Sequence, residues 1–156
     1  MRKTGQGFTL IELLVASIIL ITLTGAVLVN YNSYNETQQV RQAALTLKNN
    51  LRYAQSRSIN GEKPGVGCTQ LDGYVVSFTE TSYTTKTQCD GTPVDPGQTV
   101  SLFSGLVFNP VPTSLLFRVL SQGLDSDATI TIVGRSKSYK VVVSRSGDIS
   151  EVTQAL

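Results

Sequence analysis

The sequence of 156 residues contains no histidine and no tryptophan, and only two cysteines. Without histidine the chain lacks the commonest general base and the commonest neutral metal ligand. Two cysteines also exclude an all-cysteine zinc site. Charged residues are sparse, at 15%, and the formal net charge of +2 is too small to indicate nucleic-acid binding by itself. An apolar content of 40% nevertheless excludes a disordered chain.

Catalytic and metal-binding motifs are missing from the sequence as well. It has no glycine-rich phosphate loop and no Ser-x-x-Lys pattern that would activate a serine. Asp125 and Asp127 form a D-x-D pair, but two carboxylates fall short of the roughly six to eight oxygen ligands that calcium takes. We therefore predict a protein that is not an enzyme, with no cofactor and no metal site.

A long apolar run lies near the start of the chain. Residues 1–7 are polar and basic, and residues 8–29 then carry a single charge, Glu12. As a helix rising about 1.5 Å per residue, this run spans roughly 33 Å, which is enough for the hydrocarbon core of a bilayer. The basic flank predicts a cytoplasmic N-terminus, with the chain beyond residue 30 on the far side of the membrane.

Three interpretations of this run treat Glu12 differently. A cleaved secretory signal has a shorter apolar region, followed by a cleavage site of small residues. A plain membrane anchor gives no reason for a carboxylate, which is costly in lipid. In the third interpretation, cleavage after Gly7 leaves Phe8 with a free amine, and Glu12 neutralises that amine or the amine of a neighbouring copy.

The letters GFTLIELLV at residues 7–15 resemble the class III signal of type IV pilins and type II secretion pseudopilins. The resemblance implies that a prepilin peptidase cuts between Gly7 and Phe8 and N-methylates Phe8. It also implies that Phe8 and Glu12 act in assembly, with Glu12 pairing with the N-terminus of an adjacent subunit. The implied partners are other pilin subunits, the peptidase, an inner-membrane assembly platform, and the membrane before assembly. The implied location is the bacterial inner membrane as a single pass, with the globular domain periplasmic, and then a pilus or pseudopilus.

Helical periodicity resumes after residues 30–35, which form either a loop or a bend in a longer helix. Apolar residues recur at helical spacing on one face: Val40, Ala43, Ala44, Leu47, Leu51 and Ala54. The basic residues of this segment fall on another face, which we expect to be solvated: Arg41, Lys48 and Arg52. The Asn-Gly pair at 60–61 predicts the end of the helix, so we expect one helix over residues 9–59.

The remainder of the chain has the pattern of β structure, with short runs rich in β-branched and aromatic residues. We predict strands at residues 73–78, 100–103, 106–108, 115–120, 128–133, 139–144 and 149–152. Because no helical crossovers separate them, the sheet should be mainly antiparallel. The predicted fold class is α+β, with one long N-terminal helix, transmembrane in its first half, packed on an antiparallel sheet. The predicted organisation is a cleaved leader (1–7), a transmembrane and assembly helix (8–30), its amphipathic continuation (31–60) and a β-rich globular domain (61–156).

Residues 51–150 narrow the resemblance to one group within the pilin superfamily. The letters LRYAQSRSI at 51–59 are similar to the helix end of GspH/FimT-type minor pilins, although Gln55 and Ser58 depart from the family pattern. The resemblance implies a pilin-like fold and a minor pilin that assembles through its N-terminal helix into a type IV pilus. The roles it implies are DNA uptake, adhesion or twitching motility. A GspH-like pseudopilin of a type II secretion system and a DNA-binding tip module of a competence pilus are alternatives.

The two cysteines, Cys68 and Cys89, both lie beyond the apolar run. The far side of the membrane is an oxidising compartment, which favours a disulfide between them. Such a bridge would join two strands across residues 80–86, a polar and threonine-rich segment that we predict to be a loop. Two free thiols are the alternative.

Four basic residues and no acidic residue fall within residues 128–147. The segment 134–140 is typical of a hairpin tip whose charges can contact phosphates, with an aromatic ring available for stacking. The candidate DNA contacts are Arg135, Lys137, Tyr139, Lys140 and Arg145. The place of the G-R-x-R motif of DNA-binding FimT-like pilins is taken here by GDIS at 147–150, which lacks both arginines. A solvated hairpin without a ligand is the alternative.

Overall fold

The computed structural model describes residues 7–65, 67–120 and 123–155, without the side chains of residues 26–30 and 32–33. The predicted leader therefore lies outside the described residues, except for Gly7. The chain divides into two compact units, Met1–Asn35 and Glu36–Leu156. In chain order the elements are α1 (Leu10–Ile59), β1 (Leu71–Phe78), β2 (Ser82–Cys89), β3 (Thr92–Pro93), β4 (Gln98–Ser101), β5 (Val107–Phe108), β6 (Leu115–Arg118), β7 (Ala128–Val133), β8 (Ser138–Val143) and β9 (Thr153–Gln154).

The helix α1 agrees closely with the predicted range 9–59. Residues 30–35 are helical, so the alternative of a loop there is wrong. The N–H of Gly61 donates to the carbonyl of Ser58, and the N–H of Glu62 donates to the carbonyl of Arg57. Together these two bonds form a Schellman motif. Gly61 has φ 64°, the left-handed conformation that this motif requires and that glycine adopts at little cost.

The predicted apolar stripe of α1 is confirmed in the second unit. All six of its residues are buried at 5% exposure or less: Val40, Ala43, Ala44, Leu47, Leu51 and Ala54. They join side chains of both sheets in one core cluster. The helical period of the sequence therefore identifies the face of α1 on which the β domain packs.

The expectation that Lys48 is solvated is wrong, since the residue is only 4% exposed. Lys48 borders the apolar stripe, and its aliphatic stem is covered while its ammonium pairs with the carboxylate of Glu151. A buried ammonium needs such a partner because its desolvation is costly. Arg41 and Arg52 are exposed, as predicted.

The first sheet contains five strands, and every pairing in it is antiparallel. Strand β1 lies between β2 and β6, and β2 also pairs with β3 and β4. Most of the predicted loop 80–86 belongs to β2, which corrects the sequence analysis. The segment is polar because its threonines lie on a partly exposed strand, where β-branched residues fit well. Tyr83, Thr87 and Cys89 are its buried positions.

The second sheet has the order β5-β7-β8-β9 and is also antiparallel. Strands β7 and β8 match the predicted runs closely. The last predicted strand, 149–152, is wrong in position, because β9 begins only at Thr153. Next to β8, the Ser150 hydroxyl accepts the N–H of Val142, so a side chain takes the place of a ladder carbonyl. The α+β fold class is confirmed, with two antiparallel sheets in place of the single sheet expected.

Strand β1 approaches β6 closely at Gly73. A Cβ on Gly73 would lie 1.9 Å from the carbonyl oxygen of Phe117, and the residue has φ 154°. The same carbonyl oxygen accepts the Ser58 hydroxyl of α1 at 2.6 Å. Helix and strands therefore meet around one backbone carbonyl, and only glycine leaves room for this arrangement.

Candidate functional site

Residues 7–25 of the first unit expose apolar side chains on all sides of the helix. Phe8 is 85% exposed and Leu10 is 83% exposed. The other large apolar side chains exposed here are Ile11, Leu13, Leu14, Val15, Ile18, Ile19, Leu20, Ile21 and Leu23. Apolar surface on this scale marks an interaction site. None of the described helical residues forms a stretch that meets the length and hydropathy required of a membrane-crossing helix, and the span proposed for residues 8–30 stays a prediction.

The carboxylate of Glu12 forms a capping box with Thr9. The N–H and the hydroxyl of Thr9 donate to Oε2 of Glu12 at 3.3 and 3.1 Å. In return, the N–H of Glu12 donates to the Thr9 hydroxyl at 3.3 Å. Thr9 is therefore the N-cap of α1 and Glu12 occupies the third helical position. This role of Glu12 was not predicted, although the T-x-x-E spacing in the sequence is a recognised signal for it.

Glu12 also lies on an open, mostly apolar face of the helix in the first unit. Its neighbours on this face are Ile11, Val15, Ala16 and Ile19. A cationic group that contacts this face would meet one carboxylate among apolar side chains. The geometry therefore suits the recognition of an amine carried by an apolar segment.

The proposed cleavage point lies just before α1. Gly7 and Phe8 are exposed, and no heavy atom lies within 4 Å of where a Cβ on Gly7 would be. The peptide bond between them is therefore accessible to a peptidase. Cleavage after Gly7 and methylation of Phe8 stay predictions.

The predicted disulfide is present between Cys68 and Cys89. It joins the segment before β1 to the end of β2. We expected it to join two strands across a loop at residues 80–86, but most of that segment belongs to β2. Asp90, which follows, accepts the N–H groups of Thr69 and Gln70 at 3.2 Å each. Covalent and hydrogen bonds together fasten the segment before β1 to this edge of the first sheet.

The five candidate DNA contacts do not form one cluster. The β7–β8 hairpin is confirmed, with Arg135 and Lys137 in its turn, and Arg135 exposed. Arg145 follows β8 at the opposite end of that strand, roughly 20 Å away at about 3.3 Å per residue. Tyr139 is partly buried against the core, whereas Lys140 is exposed, so the two side chains point to opposite faces of the sheet. The ring of Tyr139 is thus poorly placed for stacking.

The turn of this hairpin is held by an acidic residue of α1. Glu36 accepts the N–H of Ser136 at 2.5 Å and its hydroxyl at 2.9 Å. Both bonds lower the pKa of Glu36 below its ordinary value of 4.5, and the bond from the backbone N–H of Ser136 has the larger effect. The carboxylate offsets part of the positive charge of the turn. Glu36 lies far from residues 128–147 in the sequence, so the charge count over that range does not include it.

Asp125 and Asp127 are both engaged with protein groups. Asp125 accepts two hydrogen bonds from the guanidinium of Arg118, at 2.8 and 3.1 Å. Asp127 accepts the N–H of Arg145. Over residues 7–65, 67–120 and 123–155, no group of three or more histidine, cysteine or acidic side chains is placed to hold a metal ion.

The two residues that depart from the GspH/FimT pattern join α1 to the β domain. Gln55 donates its amide to the carbonyl of Gly147 at 2.7 Å, and Ser58 donates its hydroxyl to the carbonyl of Phe117. Both bonds link residues far apart in sequence. The departures therefore have structural roles, which a single sequence gives no means to predict.

Two comparisons with known proteins agree with this architecture. Residues 2–28 match the family model described as the prokaryotic N-terminal methylation motif. The second comparison concerns the fold. It is similar to the crystal structure of the type IV minor pilin FimU of Pseudomonas aeruginosa strain PAO1, with a TM-score of 0.56 and 16% sequence identity, covering 78% of this chain and 98% of that chain. No curated protein matches the chain. The motif agrees with the resemblance of residues 7–15 to a pilin signal, and the fold of the chain is similar to that of FimU.

Proposed function

We propose that this chain is the precursor of a minor pilin, which is cleaved after Gly7 and assembles through residues 8–30 into a type IV pilus. The observation that carries the proposal is the methylation motif over residues 2–28, on a chain whose residues 7–25 expose apolar side chains. The likeness of the fold to a minor pilin supports it. The chain acts as a structural subunit and not as an enzyme.

The proposed mechanism uses the carboxylate of Glu12 and the new amine of Phe8. Cleavage creates a positive amine, and methylation leaves that charge in place. In a filament, the amine of one subunit would contact the apolar helix face of its neighbour and pair with Glu12 there. Attraction between opposite charges is strong where water is excluded, so this pair would favour one register over others. Before assembly, the same apolar residues would anchor the precursor in the inner membrane, with the second unit in the periplasm.

Mass spectrometry of the mature protein tests the processing step, and we expect its N-terminus to be N-methylated Phe8. The variant Glu12→Ala should be cleaved normally but absent from sheared filaments. Ser17→Ala removes another polar group of the same segment and should assemble like the wild type. A mature chain that begins at Met1, or a Glu12→Ala variant that assembles normally, would contradict the proposal.

The alternative assignment is a pseudopilin of a type II secretion system. Deletion strains separate the two assignments, since a minor pilin should be required for surface pili and a pseudopilin for secretion of exoproteins. The pilus-dependent roles of DNA uptake, adhesion and twitching motility are tested in the same strains. We expect loss of surface pili with normal secretion.

A second candidate function is contact with DNA, which the exposed Arg135 and Lys140 of the β7–β8 hairpin favour. Loose clusters of basic side chains bind phosphates by charge, with strong dependence on salt. Filter binding with Arg135→Ala and Lys137→Ala should show weaker retention of DNA. Arg41→Ala removes an exposed charge of α1 and should leave retention unchanged. Equal retention by all variants would remove this candidate.

A further inference from the structure

A cavity of about 290 Å³ lies within the second unit and takes no part in the proposed assembly. Its walls come from the last turns of α1, from β1 and β2, and from the turn that leads into β4. The residues with chemistry to offer are Tyr53, Arg57, Tyr74, Asp95 and Gln98. Its size suits one small ring and is near the lower end of the range for ligand sites.

The carboxylate of Asp95 is only half satisfied. Its Oδ2 accepts the N–H and the hydroxyl of Thr87 at 3.1 and 2.6 Å. Its Oδ1 is buried, and no described residue donates a hydrogen bond to it. A buried carboxylate oxygen without a donor is costly, so such atoms call for an explanation. Asp95 therefore carries an acceptor atom that lacks a donor and that is out of contact with solvent.

The turn that carries Asp95 is packed tightly against β2. Gly97 has φ 74°, and a Cβ there would lie 2.6 Å from the carbonyl oxygen of Thr85. The close fit limits the movement of the turn to small shifts. Because Oδ1 lies out of contact with solvent, a ligand reaches it only if the side chain of Asp95 or the turn shifts slightly, and we expect that shift on binding.

The part of the lining that comes from α1 and β1 presents a guanidinium and two aromatic rings. The guanidinium carbon of Arg57 lies 4.9 Å from the ring centre of Tyr74 and 5.6 Å from that of Tyr53. Its Nε donates to Glu62 at 2.7 Å, which further restrains it. Tyr53 is 55% exposed, so part of its ring is open for stacking.

We propose that this cavity binds a neutral sugar residue, an assignment that does not depend on the proposed role in a pilus. An anionic ligand would be repelled by Asp95, and the guanidinium of Arg57, whose charge is already paired with Glu62, offers its other N–H groups to uncharged acceptors. Sugar hydroxyls both donate and accept hydrogen bonds. They supply the donor that Asp95 lacks and acceptors for Arg57 and the amide of Gln98. The C–H face of the ring packs on Tyr53.

Saturation-transfer NMR on the full chain tests this proposal, in micelles of a zwitterionic detergent without sugar headgroups. The probes are the methyl glycosides of glucose, galactose, mannose and N-acetylglucosamine, with putrescine and inorganic phosphate as charged probes. We expect transfer to the ring protons of at least one glycoside. The variants Tyr53→Ala and Asp95→Ala should each weaken its binding about tenfold, the loss expected for one strong contact.

Matched control variants are Tyr34→Ala and Asp148→Ala, which remove an exposed tyrosine and an exposed carboxylate elsewhere. Both should bind like the wild type. Because Asp95 also holds Thr87, the fold of its variant is checked by circular dichroism, and Tyr53→Ala provides the test that leaves this contact intact. The proposal is overturned if no glycoside receives saturation, if Tyr53→Ala binds the glycoside as tightly as the wild type, or if putrescine or phosphate binds at the cavity as strongly as the sugars.

Discussion

Replacing Ser58 by alanine should destabilise the second unit, although the change removes a single oxygen atom. Ser58 is 1% exposed, and its hydroxyl donates to the carbonyl oxygen of Phe117 at 2.6 Å. Its removal deletes a bond between α1 and β6 and leaves a buried carbonyl short of a donor. A loss of this kind costs about 1–3 kcal/mol.

The matched control is Ser56→Ala, on the same helix but at an exposed position. Both substitutions raise helix propensity by up to about 0.5 kcal/mol, so the difference between the two variants isolates the buried hydroxyl of Ser58. We expect Ser56→Ala to unfold within about 0.5 kcal/mol of the wild type. Ser58→Ala should be about 1–2 kcal/mol less stable than that control.

The assay is thermal unfolding followed by near-UV circular dichroism. The chain has no tryptophan, so the signal comes mainly from buried tyrosines such as Tyr74 and Tyr83. A unit the size of Glu36–Leu156 has an unfolding entropy of roughly 250 cal/mol/K, at about 2.1 cal/mol/K per residue. The expected lowering of the midpoint is therefore about 4–8 °C relative to Ser56→Ala. Equal midpoints for the two variants would refute the reasoning.

Three further predictions concern the stability of the second unit. Leu47→Ala should leave a cavity under the stripe of α1 and cost about 2–5 kcal/mol in chemical denaturation, whereas a cost below about 1 kcal/mol would mean that the site is not packed as described. Changing Cys68 and Cys89 together to alanine should cost about 3 kcal/mol for a closed loop of 21 residues, and reductant should lower the midpoint of the wild type but not of the variant. Glu36 has a lowered pKa through its bonds to Ser136, so its stabilising contribution is present above pH 4.5 and is lost as pH falls through the folded-state pKa. Between about pH 6 and pH 3, the variant Glu36→Gln should therefore lose less unfolding free energy than the wild type. An unchanged pH dependence of unfolding would contradict this role of Glu36.

The sequence predicts well those features that depend on a local period or on a specific short motif. The buried stripe of α1 follows from helical spacing, and the end of the helix follows from Gly61, because both are decided by residues a few positions apart. Strands β7 and β8 follow for the same reason, since each is a β-branched run bounded by turn residues. The assembly residues Phe8 and Glu12 are recognisable from residues 7–15 alone.

The features that sequence reasoning misses depend on contacts distant along the chain. Strand β2 resembles a loop because its threonines are polar, and only its place between β1 and β4 accounts for a strand there. Lys48 resembles a solvated residue because its partner, Glu151, lies about a hundred positions away. The cavity near Asp95 is likewise assembled from separate elements, and no spacing in the sequence indicates it.

The capping box at Glu12 accounts for how one carboxylate can serve both the free chain and the proposed filament. In the free chain it satisfies the N–H of Thr9, through exposed bonds of 3.1–3.3 Å. Capping of this kind contributes about 1 kcal/mol, since water competes for the same groups. Once neighbouring subunits cover the apolar face around Glu12, little solvent screens a carboxylate–amine pair, and a buried carboxylate needs such a partner because its desolvation is costly. In the proposed filament Glu12 would therefore exchange exposed capping bonds for an ion pair, whereas before assembly the cap supplies its carboxylate with hydrogen-bond donors.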